Sequence, residues 1–434
     1  MGTLLIRAAL AAVLASFTAA AGAEESSDRN RFQFEIDASY VSANSPFRSW
    51  TEGGLGKLRY SESNEGLKSP RMFAQYRGRI ADALSVTVIA DYQSDATSGL
   101  DVTEAYVDWR PIPKSANQQQ VRFGAFYPPF SLENADLGWH SPFTYSYSAV
   151  NTWLGEEVRP LGVEWSLHRH LGFAGSPQEL RAFGSAFYGN DPAATLLFWR
   201  GWSLHDRQTR LSDELPLPPH PIFNSTGAVV GYYDQAVAPV AETDHKPGAY
   251  AGLEWRYSRR VLLQVAHYEN RADPNSFAGG QWGWDTEFDT LGVQASLPWQ
   301  LGFVAQWLYG DTNWLQGTRP DGTLSPFASL VCDAFDAKFW LLTRVVHSSH
   351  RLSLRRDEFD MHREQGQPSI VSDHGGAWTF AYRYEHSAHW SGGVEWLRID
   401  SSREPWAFFY AAPKDAVETE VRVQLTYRLG VAER

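Results

Sequence analysis

A two-residue rhythm runs from Phe32 to Leu429 and constrains this chain more than any other feature. Phe32, Phe34, Ile36, Ala38 and Tyr40 alternate with Gln33, Glu35, Asp37 and Ser39. The same rule holds over Leu84 to Tyr92, Val121 to Tyr127, Leu161 to Leu167, Ala251 to Tyr257, Leu301 to Tyr309, Trp378 to Tyr384 and Val421 to Leu429. Neighbouring side chains of a strand point to opposite faces, so this pattern predicts a sheet with one apolar and one polar face. The connections also alternate. Ala81-Asp82, Ser258-Arg259, Pro298-Trp299, His347 to His350 and Ser387-Ala388 are tight turns. Ser42 to Ser69, Pro128 to Glu157, Asn190 to Pro247, Arg271 to Gly283, Asp311 to Cys332, Asp360 to His374 and Ser401 to Ala416 are long and rich in Gly, Pro, Asn and Asp. Short turns at one end and long loops at the other predict an all-β, transmembrane antiparallel β-barrel, with the turns periplasmic and the loops outside. The spacing predicts about sixteen strands. Eighteen follow if Leu196 to Leu204 and Gly227 to Asp234 are both strands within the Pro-rich excursion 190–247.

Composition narrows the alternatives. Mean hydropathy is −0.38, and no mature apolar run reaches helical-span length, which excludes a helical membrane protein. The formal charge of −12 argues against a nucleic-acid partner. The lone Cys332 excludes a disulfide scaffold. Met1 to Ala23 reads as a cleaved signal peptide: Arg7, the apolar run Ala8 to Phe17, then the small-x-small site Ala21-Gly22-Ala23. No linker divides residues 24–434, so they read as one barrel domain. Export, a signal peptide and such a sheet place the chain in the outer membrane of a Gram-negative bacterium.

The two faces can be separated by parity. Trp109, Trp165, Trp255, Trp299, Trp340, Trp378, Trp390 and Trp396 fall near strand ends, where an indole can sit at headgroup level. The opposite parity gives the lumen. Its basic residues are Arg71, Arg77, Arg79, Arg122, Arg256, Lys338, Arg351, Arg355, Arg383, Arg422 and Arg428. Its acids are Glu35, Asp37, Asp91, Glu104, Asp108, Glu164, Glu254, Asp336, Glu385 and Glu395. A near balance of signs predicts no strong selectivity from the wall alone.

The stretch Val121-Arg122-Phe123-Gly124-Ala125-Phe126-Tyr127-Pro128-Pro129-Phe130-Ser131-Leu132-Glu133-Asn134 ends a strand and opens a long loop. It resembles the corresponding segment of the phosphate-selective porins. That resemblance implies a sixteen-stranded trimeric channel whose next loop, here 128–157, folds inward and constricts the pore. It does not carry phosphate selectivity, which needs a cluster of Lys and Arg at the constriction. The loop has none, and instead holds Glu133, Asp136, Glu156, Glu157, Trp139, Phe143, Tyr145, Tyr147 and Trp153. Glu133, Asp136, Trp139, Tyr145, Tyr147, Glu156 and Glu157 are the expected eyelet, suited to cations or neutral solutes.

The expected function is a porin: passive diffusion of small hydrophilic solutes or ions. The expected partners are outer-membrane lipid and lipopolysaccharide, a possible homotrimer, and the barrel-insertion machinery. The ending Leu425-Thr426-Tyr427-Arg428-Leu429 resembles the strand that machinery reads, with five residues added. The alternative is a non-conducting barrel that serves as scaffold or sheath for a periplasmic redox or efflux protein. Such a partner would dock at the turn histidines His168, His170, His347, His350, His386 and His389. Nothing singles out a nucleophile, a metal centre or a cofactor fingerprint, so no enzyme and no cofactor are expected.

Overall fold

The computed structural model describes residues 30–95, 99–113, 115–173, 176–219, 236–318, 324–363 and 372–430. The expected signal peptide and the candidate strand Gly227 to Asp234 lie outside these residues. Sixteen long strands form the wall: β1 Asn30–Asn44, β2 Arg71–Ala81, β3 Leu84–Tyr92, β4 Leu100–Trp109, β5 Asn117–Ala125, β6 Leu161–Phe173, β7 Ser176–Tyr188 and β8 Gly248–Tyr257, followed by β9 Val261–Glu269, β10 Asp285–Leu297, β11 Leu301–Thr318, β12 Leu324–Val346, β13 His350–Arg363, β14 Asp373–Glu385, β15 Trp390–Ser402 and β16 Asp415–Leu429. Each pairs antiparallel with the next, and β16 returns to β1 from Phe34↔Leu429 to Asn44↔Thr419. The sheet therefore closes and leaves no edge. Every backbone group can then be paired within the wall, which a lipid setting demands.

The tight turns lie at the end that holds the β1 N-terminus and the β16 C-terminus. Trp299 and Gln300 have φ of 61° and 58°, and His347 and Ser348 have 49° and 57°. Paired left-handed residues match the twist of two-residue hairpins.

Alternation sorts the faces as its period requires. Val423, Leu425, Trp165, Trp307, Trp378 and Phe380 are between 43% and 52% exposed on the outside. The seven girdle tryptophans carried on strands share that face, Trp255 by its register with the exposed Leu263, and Trp299 at its turn is 81% exposed. Glu35, Asp91, Glu164, Arg355, Glu395 and Arg422 point inward and are buried. A closed antiparallel barrel with an apolar exterior belongs in the outer membrane.

Four expectations need correction. Asp336 and Lys338 face outward, not into the lumen: they pair with Tyr309 and Trp307, which are 46% and 48% exposed. Both share the parity of the girdle residue Trp340, so their charge and not their parity put them on the wrong side. Lys338 Nζ lies 3.3 Å from Glu358 and 5.8 Å from the Trp340 ring centre. Asp311 to Cys332 is largely strand, because the β11–β12 hairpin continues past the band. Leu196 to Leu204 is no strand; Thr195–Arg200 is a short helix, so the wall keeps sixteen strands. The stretch 190–247 is not simply external either. Its first part enters the barrel, where Leu196, Leu197, Trp202 and Leu204 are at most 1% exposed.

Candidate functional site: the lumenal passage

Three loops fill much of the lumen. The first leaves β5 after Ala125, and Pro128-Pro129, two residues without an N–H, follow where the chain turns away from the ladder. Phe130 drops into a cage of Tyr250, Tyr268 and Phe288 on β8 to β10, with ring centres 5.3–6.3 Å away. The loop then forms α1, Ala149–Glu157, whose Ser148 hydroxyl caps the N–H of Asn151. The second loop carries α2, Thr195–Arg200, and the third is residues 45–69. Trp153 packs on Phe288 and Phe335, and Trp284 stacks on Trp314 at 4.7 Å. An apolar core thus occupies the β8 to β13 side of the barrel.

Charged groups hold these loops in place. Arg355 on β13 is fully buried and donates to Glu133 at 2.7 Å, Asp357 at 2.8 Å, and the carbonyls of Ser146 and Tyr147 at 2.7 and 2.9 Å. Glu395 on β15 accepts the N–H groups of Tyr145 and Ser146 at 2.6 and 2.8 Å. Arg383 on β14 donates to the Ser141 carbonyl at 2.8 Å. Lys57 of the third loop donates to Asp373 and to the Trp202 carbonyl.

The expected eyelet residues separate into two groups. Glu133, Glu156 and Glu157 are at most 1% exposed and lie beneath the loop surface. Glu133 accepts from Ser148, Asn151 and Arg355. Glu156 pairs with Arg200 at 2.5 Å and His205 at 3.0 Å. Burial pushes its carboxyl up, but the Arg200 guanidinium and the hydrogen bonds from Arg200 and His205 outweigh it and hold it at about 2. Glu157 caps α2 through the N–H groups of Leu196 and Leu197 and also accepts the Trp153 indole N–H. These three acids shape the loops and present no charge to solvent. Asp136, Trp139, Tyr145 and Tyr147 do border cavities. Trp139 stacks on Tyr127 at 4.4 Å, and Arg383 lies 4.9 Å over the Tyr145 ring.

What remains along the inner faces of β1, β2 and β16 is a pair of adjoining polar cavities. The outer chamber, about 170 Å³, is bordered by Arg59, Lys68, Arg71, Asp95, Asp206 and Asp37. Below it a neck of about 20 Å³ is bordered by Glu35, Asp37, Arg71, His140, Asp206 and Arg383. Such a neck has room for about one water. A third cavity of about 490 Å³, which shares no bordering residue with the neck, lies between the loop residues Asp136 to Trp139 and the inner faces of β2 to β7, with Glu104, Arg122 and Arg181 on its walls. The wall charges take their places around these cavities. Arg122 pairs with Glu164 at 2.9 Å and Arg77 with Asp108 at 3.8 Å. Arg77 and Arg79 border a separate cavity of about 280 Å³ at the turn end. Arg422 binds Glu420 and Asp206, and Arg256 shares the inward parity of Glu254.

Sequence reasoning missed Arg59, His140 and Asp206. One signal was available: Leu196 to Leu204 is too apolar for a loop left in water, so the polar run that follows it enters the barrel too. The turn histidines stay dispersed; His350 bonds Tyr382 and His389 bonds the Arg428 carbonyl. Glu35, Asp37 and His140 bring ligand-type atoms within 4.8 Å. Arg428 already pairs with Glu35, and Thr426 donates to Asp37, so both carboxylates have partners within the protein.

Residues 63–177 match the family model of the phosphate-selective porins O and P. That span covers β2 through β6, the Val121 to Asn134 motif and the whole first inward loop. Solved structures give the same architecture. The outer membrane channel DcaP of Acinetobacter baumannii aligns at 12% identity and TM-score 0.53, over 92% of this chain and 96% of that one. OmpF of Salmonella typhi, in complex with daunomycin, aligns at 8% and 0.51, over 92% and 97%. An anion-selective porin from Comamonas acidovorans aligns at 11% and 0.50, over 92% and 99%. No curated protein matches the sequence. The fold is that of an outer-membrane porin.

Proposed function

We propose that this chain is an outer-membrane porin for passive diffusion of small hydrophilic solutes and ions. The observation that carries this reading is the adjoining polar chamber and neck between the inward loops and the β1–β2–β16 wall, beside a larger polar cavity on the inner faces of β2 to β7. The chamber and neck are bordered by Arg59, Lys68, Arg71, Arg383 and Arg428 against Glu35, Asp37, Asp95 and Asp206. Because Glu133, Glu156 and Glu157 are buried and bonded, the wall and not the loop sets the sign. A modest anion preference follows, in place of the cation preference that loop composition predicts. The homotrimer, contact with lipopolysaccharide and handling by the barrel-insertion machinery are parts of the same reading. So is the absence of catalysis.

Purified protein in a planar bilayer under a salt gradient tests it. Discrete steps with a weakly anion-directed reversal potential are expected. A strongly cation-directed potential would remove the assignment of sign to the wall. The filled lumen favours one rival, the non-conducting sheath, which silence from well-inserted barrels in chloride and in acetate alike would support.

The loops also respond to pH. Burial pushes the Glu157 carboxyl from its ordinary 4.5 up to about 7, against the lowering N–H groups of Leu196 and Leu197. A raised pKa means that the packed state binds the proton more tightly. Its contribution is complete below about pH 4.5 and is lost as pH rises through about 7. The α1–α2 contact should therefore loosen between pH 6 and 8. Limited proteolysis of the 190–219 segment across that range should show faster cutting at pH 8, and Glu157→Gln should flatten the profile.

A further inference from the structure

Outer chamber and neck share four bordering side chains: Asp37 on β1, Arg71 on β2, Gln424 on β16 and Asp206. Three belong to the rigid wall. Asp206 alone comes from a loop, the segment that dips in after α2. Its carboxylate receives Arg422 Nη1 at 2.7 Å and Arg59 Nη1 at 3.0 Å, with Arg71 Nη1 at 3.7 Å. Arg71 also donates to the Asp206 backbone carbonyl at 2.7 Å. The three arginines stand on separate elements: the 45–69 loop, β2 and β16. Each already has a carboxylate of its own, Asp95 for Arg59, Asp91 for Arg71 and Glu420 for Arg422. Asp206 is the fourth acid on three cations, so the arginines keep a partner each when it leaves.

Converging guanidinium groups on one carboxylate are how a site for an oxyanion is built. Here a tethered side chain fills it. Burial alone would raise the Asp206 carboxyl, but Arg422, Arg59 and Arg71 outweigh that and hold it well below the usual carboxylate range. It therefore stays charged at any physiological pH, and acid does not release it. Competition can.

We propose that Arg59, Arg71 and Arg422 form a subsite for small organic carboxylates, occupied in the closed passage by the chain's own Asp206, which an incoming carboxylate displaces to open the neck. This rests on the channel reading above and names its solute class. The resident ligand is itself a carboxylate on a short stem, so acetate is the simplest mimic. A tethered competitor acts at an effective concentration on the order of millimolar or more, which weakens any free rival.

The test is single-channel recording with Asp206→Asn, Asp206→Ser and Asp206→Glu, in chloride salt with added acetate or inorganic phosphate. Both neutral variants should conduct more than the parent, and their reversal potential should move toward anions. Acetate should modulate them at concentrations about tenfold lower or more, the loss expected of a tethered rival. Asp206→Glu keeps the charge and should stay near the parent. Folding is read independently from the heat-shifted gel mobility of unboiled protein, and the two neutral variants give two chances of a folded barrel. Unchanged conductance and acetate response in both would overturn the gate. Phosphate acting as well as acetate would overturn the carboxylate assignment. Silence from the parent and every folded variant would instead overturn the channel reading.

Discussion

Arg355→Ala is expected to raise single-channel conductance severalfold and to make the current noisy, while the barrel still inserts. Arg355 is the main tie between the first inward loop and the wall, reaching Glu133, Ser146 and Tyr147 from β13. Removing it leaves Glu133 and Asp357 buried without their cation. Breaking a buried ion pair by deleting one partner costs about 3–5 kcal/mol. The wall has its full ladder on both sides of β13, so the loop and not the barrel should yield. Arg355→Lys restores a charge but not the planar fork, and should fall between. Recordings that match the parent, with equal resistance of the loop to protease, would show that the apolar cage around Phe130 holds the loop by itself.

The second large effect concerns the opposite face. Val423→Arg should sharply reduce the yield of inserted barrel, because Val423 is 52% exposed at the middle of β16 and faces lipid. An Arg there costs about 2–4 kcal/mol near the bilayer midplane. One step along the strand the face reverses. Gln424→Arg should insert normally and alter only conductance, since Gln424 borders the chamber and neck. Urea unfolding in detergent-free vesicles, read by gel mobility, compares the two. Equal losses would mean that β16 does not have the facing drawn from its register with β1.

Much of the wall was legible in the sequence because its rule is local. Phe32 to Tyr40 alternates without exception, and a strand needs only its own residues to show which side is wet. The tight turns were legible for the same reason. Charge misled at Asp336 and Lys338, which share the outward parity of Trp340; parity gives the face but not where the apolar band stops. The passage was largely illegible because its contacts are non-local. Glu133 meets Arg355 across 222 residues, and Arg422 meets Asp206 across 216. An acidic loop read by composition looks like a cation filter; only the partners supplied by β13 and by the second inward loop show that three of those acids are spent on packing.

The seam between β1 and β16 carries a consequence for timing. Thr426 bonds Asp37 across 389 residues, and Arg428 reaches Glu35 across 393. The neck is built from these same strands. It cannot exist until the last strand has found the first, however completely the remainder has folded. A nascent barrel is therefore an open sheet with no neck at all, and any selectivity is acquired in one step, at the moment of closure.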